Sequence, residues 1–433
     1  MLIVSLILHV GVVLIMGDPA RPALYEHQII AENILEGNGF SINLFGRDRN
    51  HPTSQQAPGL VSLYVLARML FPSATANVLM MVTEAILMAF VPIFIFLGLK
   101  FLGVSGLTSS IAGWLVVLHP NYLYAPTHIQ VVNFSVFFVA LGLMVGSYIL
   151  GRAFQSSGFP YAIFGTICGI GMLFEPILIL LPLIFWVGVL VIKREYLRFI
   201  LKNFIVWFLP VWILILAPWT LRNFQVHGRL MPIKSTFWYS FWQANNPNSF
   251  GTDKIPPEGG YGYFDFLSSS SILDARGEVT DVNSSLSPEF LRRIADMPET
   301  GQFDAFKALA LAFLKEDPVG YLRLVLKRFG YFVWIDTTNP TSFHPLYWGT
   351  SILLWLGLLL GCKPMYRGNR SLLIWLGFYL GCFGMFHALT IYAARFRMPV
   401  EWVFLVFWAF FLAGILTLIS NKKNIRVFKT DWS

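Results

Sequence analysis

Charge is what this chain has least of. Of its 433 residues only 12% are Asp, Glu, Lys or Arg, while 56% are hydrophobic and the mean hydropathy is +0.63. Such a chain cannot cover a water-facing surface, which excludes a soluble enzyme. Cysteine is nearly as scarce: Cys168, Cys362 and Cys382 all fall inside or at the edge of apolar runs, so no disulfide framework is on offer. No ligand spacing for zinc or an iron–sulfur cluster occurs, and there is no clustered Asp-x-Asp, tandem repeat or low-complexity tract. Met1 to Met16 lacks a basic n-region and a small-residue cleavage site, so it reads as a retained first span rather than a signal peptide.

What the chain has in abundance is long apolar runs. At 1.5 Å per residue several can cross a hydrocarbon core of about 30 Å. Spans are expected near 2–16, 77–99, 104–119, 128–150, 160–173, 176–192, 203–219, 347–362, 371–391 and 398–419. The fold class is therefore an all-α polytopic membrane protein of about ten transmembrane helices. The fifth and sixth spans are short and meet at Glu175-Pro176, so they read either as a re-entrant pair or as tilted helices. The net charge of +8 has a topological explanation that needs no nucleic acid. With a cytoplasmic N-terminus, the inside connections collect Lys100, Arg152, Lys193, Arg194, Arg198, Lys202, Lys363, Arg367, Arg370, Lys422, Lys423, Arg426 and Lys429, with almost no acid among them.

Two segments on the opposite, external face are too polar to be spans and too long for turns: Gly17 to about Pro72, and Arg222 to about Pro345. They divide the chain into a transmembrane module (1–221) with the first external loop (17–72), a small α-rich external loop domain (222–345), and C-terminal spans with a basic tail (346–433). The first loop carries a short helix expected to begin at Pro22, with Ile30, Ala31, Ile34 and Leu35 on one face, closed by Gly37-Asn38-Gly39. It should lie along the membrane surface. The loop domain mixes turn-rich stretches (Asn245-Asn246-Pro247, Pro256 to Gly260) with helical runs near Pro288–Ala295 and Phe303–Leu314.

Few charged residues lie outside the cytoplasmic loops, so each can be weighed. Glu26, beside Tyr25 and His27, is placed as a general base whose substrate arrives partly from lipid would be; an ordinary solvated acid at a helix start is the plainer reading. Asp48, Arg49, Asn50, His51, Pro52 and Thr53 form a stiff polar loop before Ala57-Pro58-Gly59. Arg395 and Arg397 put positive charge at the external mouth of the last span, against the topological bias. Guanidinium forks suit phosphate oxygens, and snorkelling to anionic headgroups is the alternative. Trp219, Arg222 and Asn223 end the seventh span as a belt residue and a snorkelling cation would, while Arg292, Arg293, Lys307, Arg323, Lys327 and Arg328 read as decoration on solvated helices. Phe237, Trp238, Tyr239, Phe241 and Trp242 are either a stacking surface for a sugar or lipid, or local core.

With those positions in hand, the chain resembles the bacterial membrane glycosyltransferases of the GT-C fold, the broad group related to protein O-mannosyltransferases and to the aminoarabinose transferase acting on lipid A. Tyr25-Glu26-His27 through Phe40-Ser41 looks like the first-loop pattern of an acid before "IA.NL..G.GFS", and His51-Pro52-Thr53 through Ala57-Pro58-Gly59 is similar to the following "PTA..PP.YP" element. Pro218 to Asn223 with Ala244 to Pro247 resembles "PWT.RN…GNNP". Lys327-Arg328-Phe329 and Arg395 to Pro399 resemble the later "RF" and "RYR.P" patches. The chain departs from the pattern at Ala23, where many relatives carry an aspartate, and at Pro58-Gly59-Leu60-Val61, which lacks the tyrosine-proline; Asp18 is nearby but does not align cleanly.

The resemblance implies a multi-pass protein of the bacterial cytoplasmic membrane with its site on the periplasmic face. It also implies inverting transfer of a sugar from a polyprenyl-phosphate carrier to an acceptor hydroxyl, on protein, lipid or glycan. Glu26 would be the catalytic base, Arg395 and Arg397 would hold the carrier phosphate, Arg222 would assist or anchor the loop domain, and His27 and His51 would complete the substrate-binding set. A lipid phosphate leaves readily at neutral pH, so positioning, a base and cations suffice without a general acid. No metal and no cofactor are expected. A polyprenyl-diphosphate-dependent ligase or polymerase shares the plan, and a transporter would need midplane ionisable sites, for which Glu84, His128, Glu175 and His387 are sparse candidates.

Overall fold

The computed structural model describes residues 1–45, 50–152, 157–257 and 280–430. Asp48, Arg49 and Glu258 to Gly260 lie outside the described residues, as do the side chains of Lys422, Lys423, Arg426 and Lys429. Nearly everything described is helix, as a chain poor in polar backbone partners requires in lipid.

A helix stands at every expected span: α1 (Leu2–Met16), then, after the first loop, α4 (Ser73–Phe101), α5 (Gly106–Val117), α7 (Val131–Gly151), α8 (Phe159–Phe174), α9 (Leu180–Ile192), α11 (Leu209–His227), α16 (Pro345–Gly368), α17 (Arg370–Leu389) and α18 (Met398–Thr430). The first loop supplies α2 (Glu26–Leu35) and α3 (Pro58–Leu70), and short helices α6 (Pro120–Tyr124) and α10 (Leu197–Asn203) fill the connections. Among the described residues six stretches, Ser73–Phe101, Val131–Gly151, Arg194–His227, Pro345–Gly368, Arg370–Leu389 and Ala394–Ser420, are long and apolar enough to cross a membrane. The chain is a multi-pass membrane protein. A count of ten crossings is not reached by that measure: α1, α5, α8 and α9 have 15, 12, 16 and 13 residues. At 1.5 Å per residue each falls short of the hydrocarbon core by itself.

Helices approach one another through small residues, as packing without a hydrophobic drive between them demands. A Cβ on Gly165 of α8 would sit 2.6 Å from the carbonyl of Phe208, the residue just before α11, and one on Gly361 of α16 would collide with the Phe407 backbone of α18. The outward faces stay greasy, with Leu214 72% and Leu359 69% exposed, which suits lipid and not water.

The segment between α11 and α16 builds a second core. It holds α12 (Phe237–Ala244), the strand pair β3 (Lys254–Ile255) and β4 (Thr280–Asp281), α13 (Pro288–Ala295), α14 (Glu299–Glu316) and α15 (Pro318–Val333). Phe241, Trp242, Val282, Ile294, Phe303 and Phe306 pack together, and Leu44 and Phe45 of the first loop pack against them. The first loop is thus clamped between the span bundle and this second core. Its own strand pair, β1 (Ser41–Ile42) with β2 (His51–Pro52), sets Ile42 opposite His51.

Arg328 corrects one expectation. It is fully buried and does not decorate a solvated face: its Nε donates to the Ala388 carbonyl at 2.6 Å, and its two other nitrogens to the Ala244 carbonyl and Asn245 Oδ1. Burial pulls its guanidinium down to about 10, still cationic at neutral pH. One planar fork therefore ties α15 to α12 and α17.

Candidate active site

The helix carrying Glu26 begins at Glu26 itself and not at Pro22. Ala23 and Tyr25 both have positive φ, 60° and 44°, and no helix can propagate through such residues. Tyr25, with ψ −123°, is the residue just before the helix, so backbone strain abuts the acid. Ile30 and Ala31 are buried and anchor the helix, while Leu35 is exposed, a narrower apolar face than the sequence suggests.

Glu26 and His27 open onto a cavity of about 800 Å³ bounded by the first loop, the second core and the ends of the spans. Arg395 borders the same cavity, presented by a single 3₁₀ turn (Ala394–Arg397) that joins α17 to α18. So do Lys234 and Glu175, the latter at the break between α8 and α9. Two aspartates come from the second core: Asp253, just before β3, and Asp281 in β4. Both cations act on His27. Burial pushes the His27 imidazole down to about 3, and the charges of Lys234 and then Arg395 add to that, against a partial offset from the Leu24 carbonyl. His27 is neutral at pH 7. Asp281 is pushed up by burial, and the nearby Asp253 and Glu26 charges add to it.

Arg397, two residues from Arg395, is turned away. It is fully buried, with Nε 2.9 Å from Glu401 Oε1 and a terminal nitrogen donating to Ser351 Oγ at 2.6 Å. Glu401 in turn meets His119 at 2.8 Å and Asn121 at 2.9 Å. This cluster occupies the guanidinium, so Arg397 does not reach the cavity where the sequence pairs it with Arg395.

Arg222 is also engaged in holding structure. Its fork donates to the Thr53 carbonyl and, at 3.0 Å, to the Phe40 carbonyl, and it lies over the Phe40 and Trp219 rings at 5.3 and 5.0 Å. Through Ser54 it reaches the loop domain, because Glu299 accepts from the Ser54 backbone at 2.9 Å and from Ser235 Oγ at 2.6 Å. That is an anchor, one of the two parts the sequence leaves open for it. His51 is exposed in β2, opposite Ile42, and does not line the cavity.

No family model matches the sequence, and none of the curated proteins does. The fold is another matter. The chain is similar in structure to the archaeal oligosaccharyltransferase AglB from Archaeoglobus fulgidus, solved in complex with an inhibitory peptide and a dolichol-phosphate, with TM-score 0.57 at 15% identity. The match takes in 98% of this chain and 51% of that one. At that identity the likeness shows a shared fold. The chain spans about half the length of the protein it matches.

Lys234, Asp253, Asp281 and Gln55 escaped the sequence reading. They sit in turn-rich stretches where a charged or polar residue is ordinary, and no local pattern separates them from their neighbours. A signal existed for Glu175: a lone acid at a proline break between two short apolar runs.

Proposed function

We propose that this chain is a membrane glycosyltransferase that moves a sugar from a polyprenyl-monophosphate carrier to an acceptor hydroxyl on the external side of a bacterial cytoplasmic membrane, with inversion. The observation that carries it is the sharing of one cavity by Glu26 and Arg395, a carboxylate on the first loop and an accessible cation at the mouth of the last span. Glu26 takes the proton of the acceptor hydroxyl as it attacks the anomeric carbon. Arg395, with Lys234 beside it, holds the phosphate oxygens on which charge grows as the glycosidic bond breaks. Neutral His27 supplies a hydrogen bond without a competing charge. That the similar GT-C protein was solved with a dolichol-phosphate supports a lipid phosphate as the carrier.

The test is transfer of labelled sugar from a panel of polyprenyl-monophosphate sugars to a membrane extract, by purified wild type and by Glu26→Gln at matched folding. Wild type should transfer label, and the variant should lose about 10²- to 10⁴-fold in kcat with KM little changed. Equal transfer by both would move the base elsewhere, with Asp18 next. A second reading, transfer of an oligosaccharide from a diphosphate carrier, draws support from the similarity to an oligosaccharyltransferase and from the size of the cavity. It would be established if only diphosphate donors were consumed.

A further inference from the structure

The cavity wall carries charges of both signs. Arg395, Lys234 and His27 all line the cavity, with both cations close enough to bear on the imidazole. Glu26, Asp253 and Asp281 line it too, close enough that the first two bear on the third, and Glu175 adds a fourth acid to the lining. Three carboxylates around one space repel one another unless a positive charge or several hydrogen-bond donors enter it. Lys254, opposite Asp281 in the strand pair, offsets part of that repulsion but does not line the cavity.

A second observation points the same way. Gln55 borders this cavity and is only 6% exposed, yet its Oε1 has no hydrogen-bond partner among the described residues. A buried amide oxygen left unpaired costs about 1–3 kcal/mol, so its place at a cavity wall is explained by a ligand that donates to it. Gln55 and the carboxylates are linked through α12: the Gln55 backbone carbonyl accepts from the Thr236 hydroxyl just before that helix, and the Tyr239 hydroxyl on it accepts from Asn283, two residues after Asp281, at 2.6 Å. The wall thus offers many acceptors.

Two ligand chemistries satisfy such a wall, a metal ion and an ammonium group. A metal ion needs its oxygens at roughly 2.0–2.6 Å, hence closely converging side chains. Among the described residues no three His, Cys, Asp or Glu side chains group closely enough to hold one. Acceptors spread around a cavity match a larger ligand whose N–H and O–H groups fan outward.

We propose that this acidic wall selects an acceptor carrying a primary ammonium close to the hydroxyl that is glycosylated. The inference rests on the reading of Glu26 as base and Arg395 as phosphate ligand, and it names the acceptor class for that reaction. Asp253 and Asp281 come from the loop domain and Arg395 from the turn before the last span, so acceptor and lipid carrier are held by different elements of the cavity wall. The ammonium sits among Asp253, Asp281 and the Gln55 side-chain oxygen, and its charge brings the neighbouring hydroxyl to Glu26.

The experiment is equilibrium binding to the full chain in nanodiscs, read by tryptophan fluorescence without any donor. The probes are matched pairs: methyl glucosaminide, ethanolamine and serine amide, each with its N-acetylated counterpart. At least one free amine should bind about tenfold more tightly than its acetylated partner, the value of one charge-assisted hydrogen bond. That preference should vanish in Asp253→Asn/Asp281→Asn and weaken severalfold in Gln55→Leu, a variant that removes an unpaired buried acceptor and so should fold at least as well as wild type. No preference for any amine, or a preference untouched by both variants, overturns the inference. A rise in thermal midpoint with Mg²⁺ or Mn²⁺ that Asp253→Asn/Asp281→Asn abolishes would give the wall to a cation and overturn it equally. Because no donor is present, failure here leaves the transferase reading standing, and failure of Glu26→Gln to change transfer leaves this measurement meaningful.

Discussion

Arg397 and Glu401 lie one helical turn apart and meet at 2.9 Å, with neither side chain more than 1% exposed. Removing one partner of such a pair strands the other charge away from water, which costs about 3–5 kcal/mol. Arg397→Met and Glu401→Gln should each lower stability by that order, measured by unfolding in detergent. A loss below about 1 kcal/mol would show that water reaches the pair.

Arg395 offers the contrast. Its side chain is exposed at the cavity and rests over Phe396, with its charge centre 5.5 Å from the ring. Arg395→Ala should leave the thermal midpoint within about a degree while weakening binding of a polyprenyl phosphate by about tenfold or more, the value of a charge-assisted contact. Unchanged affinity would return Arg395 to a headgroup contact.

His27 gives the fold an acid-sensitive element. Its imidazole is held down at about 3 in the folded chain and lies near 6.5 in an unfolded one. Between those values the unfolded state binds the extra proton, so stability falls as pH drops below about 6.5 and is intact above it. Thermal midpoints from pH 7.5 to 5 should decline for wild type and decline less for His27→Gln, a comparison that subtracts the opposite contribution of Asp281, whose raised carboxyl favours folding in acid. Parallel slopes would mean that His27 is freely solvated.

At Tyr25 the backbone has φ 44° and ψ −123°, a region L-residues avoid. Glycine normally loses more entropy on folding than alanine, by about 0.5–1 kcal/mol. Here the order should invert, with Tyr25→Gly more stable than Tyr25→Ala in thermal unfolding. If Ala proves equal or better, the strain before Glu26 is released in the protein.

The sequence by itself determined the class of the protein and the positions of its apolar helices. Hydrophobic runs and helix breakers are local signals, and lipid leaves the backbone little choice but helix. It also singled out Glu26 and Arg395, because an acid in a short amphipathic helix and a cation at the end of a span stand out against apolar chain. It could not separate Arg395 from Arg397. That choice was made by Glu401, Ser351 and a single 3₁₀ turn, which bury one guanidinium and leave the other at the cavity. It likewise could not show that Arg328 is a buried tie, nor that Lys234, Asp253, Asp281 and Gln55 share a space with Glu26. A charge's role depends on which partner and how much water surround it, and both are supplied by chain far away in sequence, so only the tertiary structure decides them.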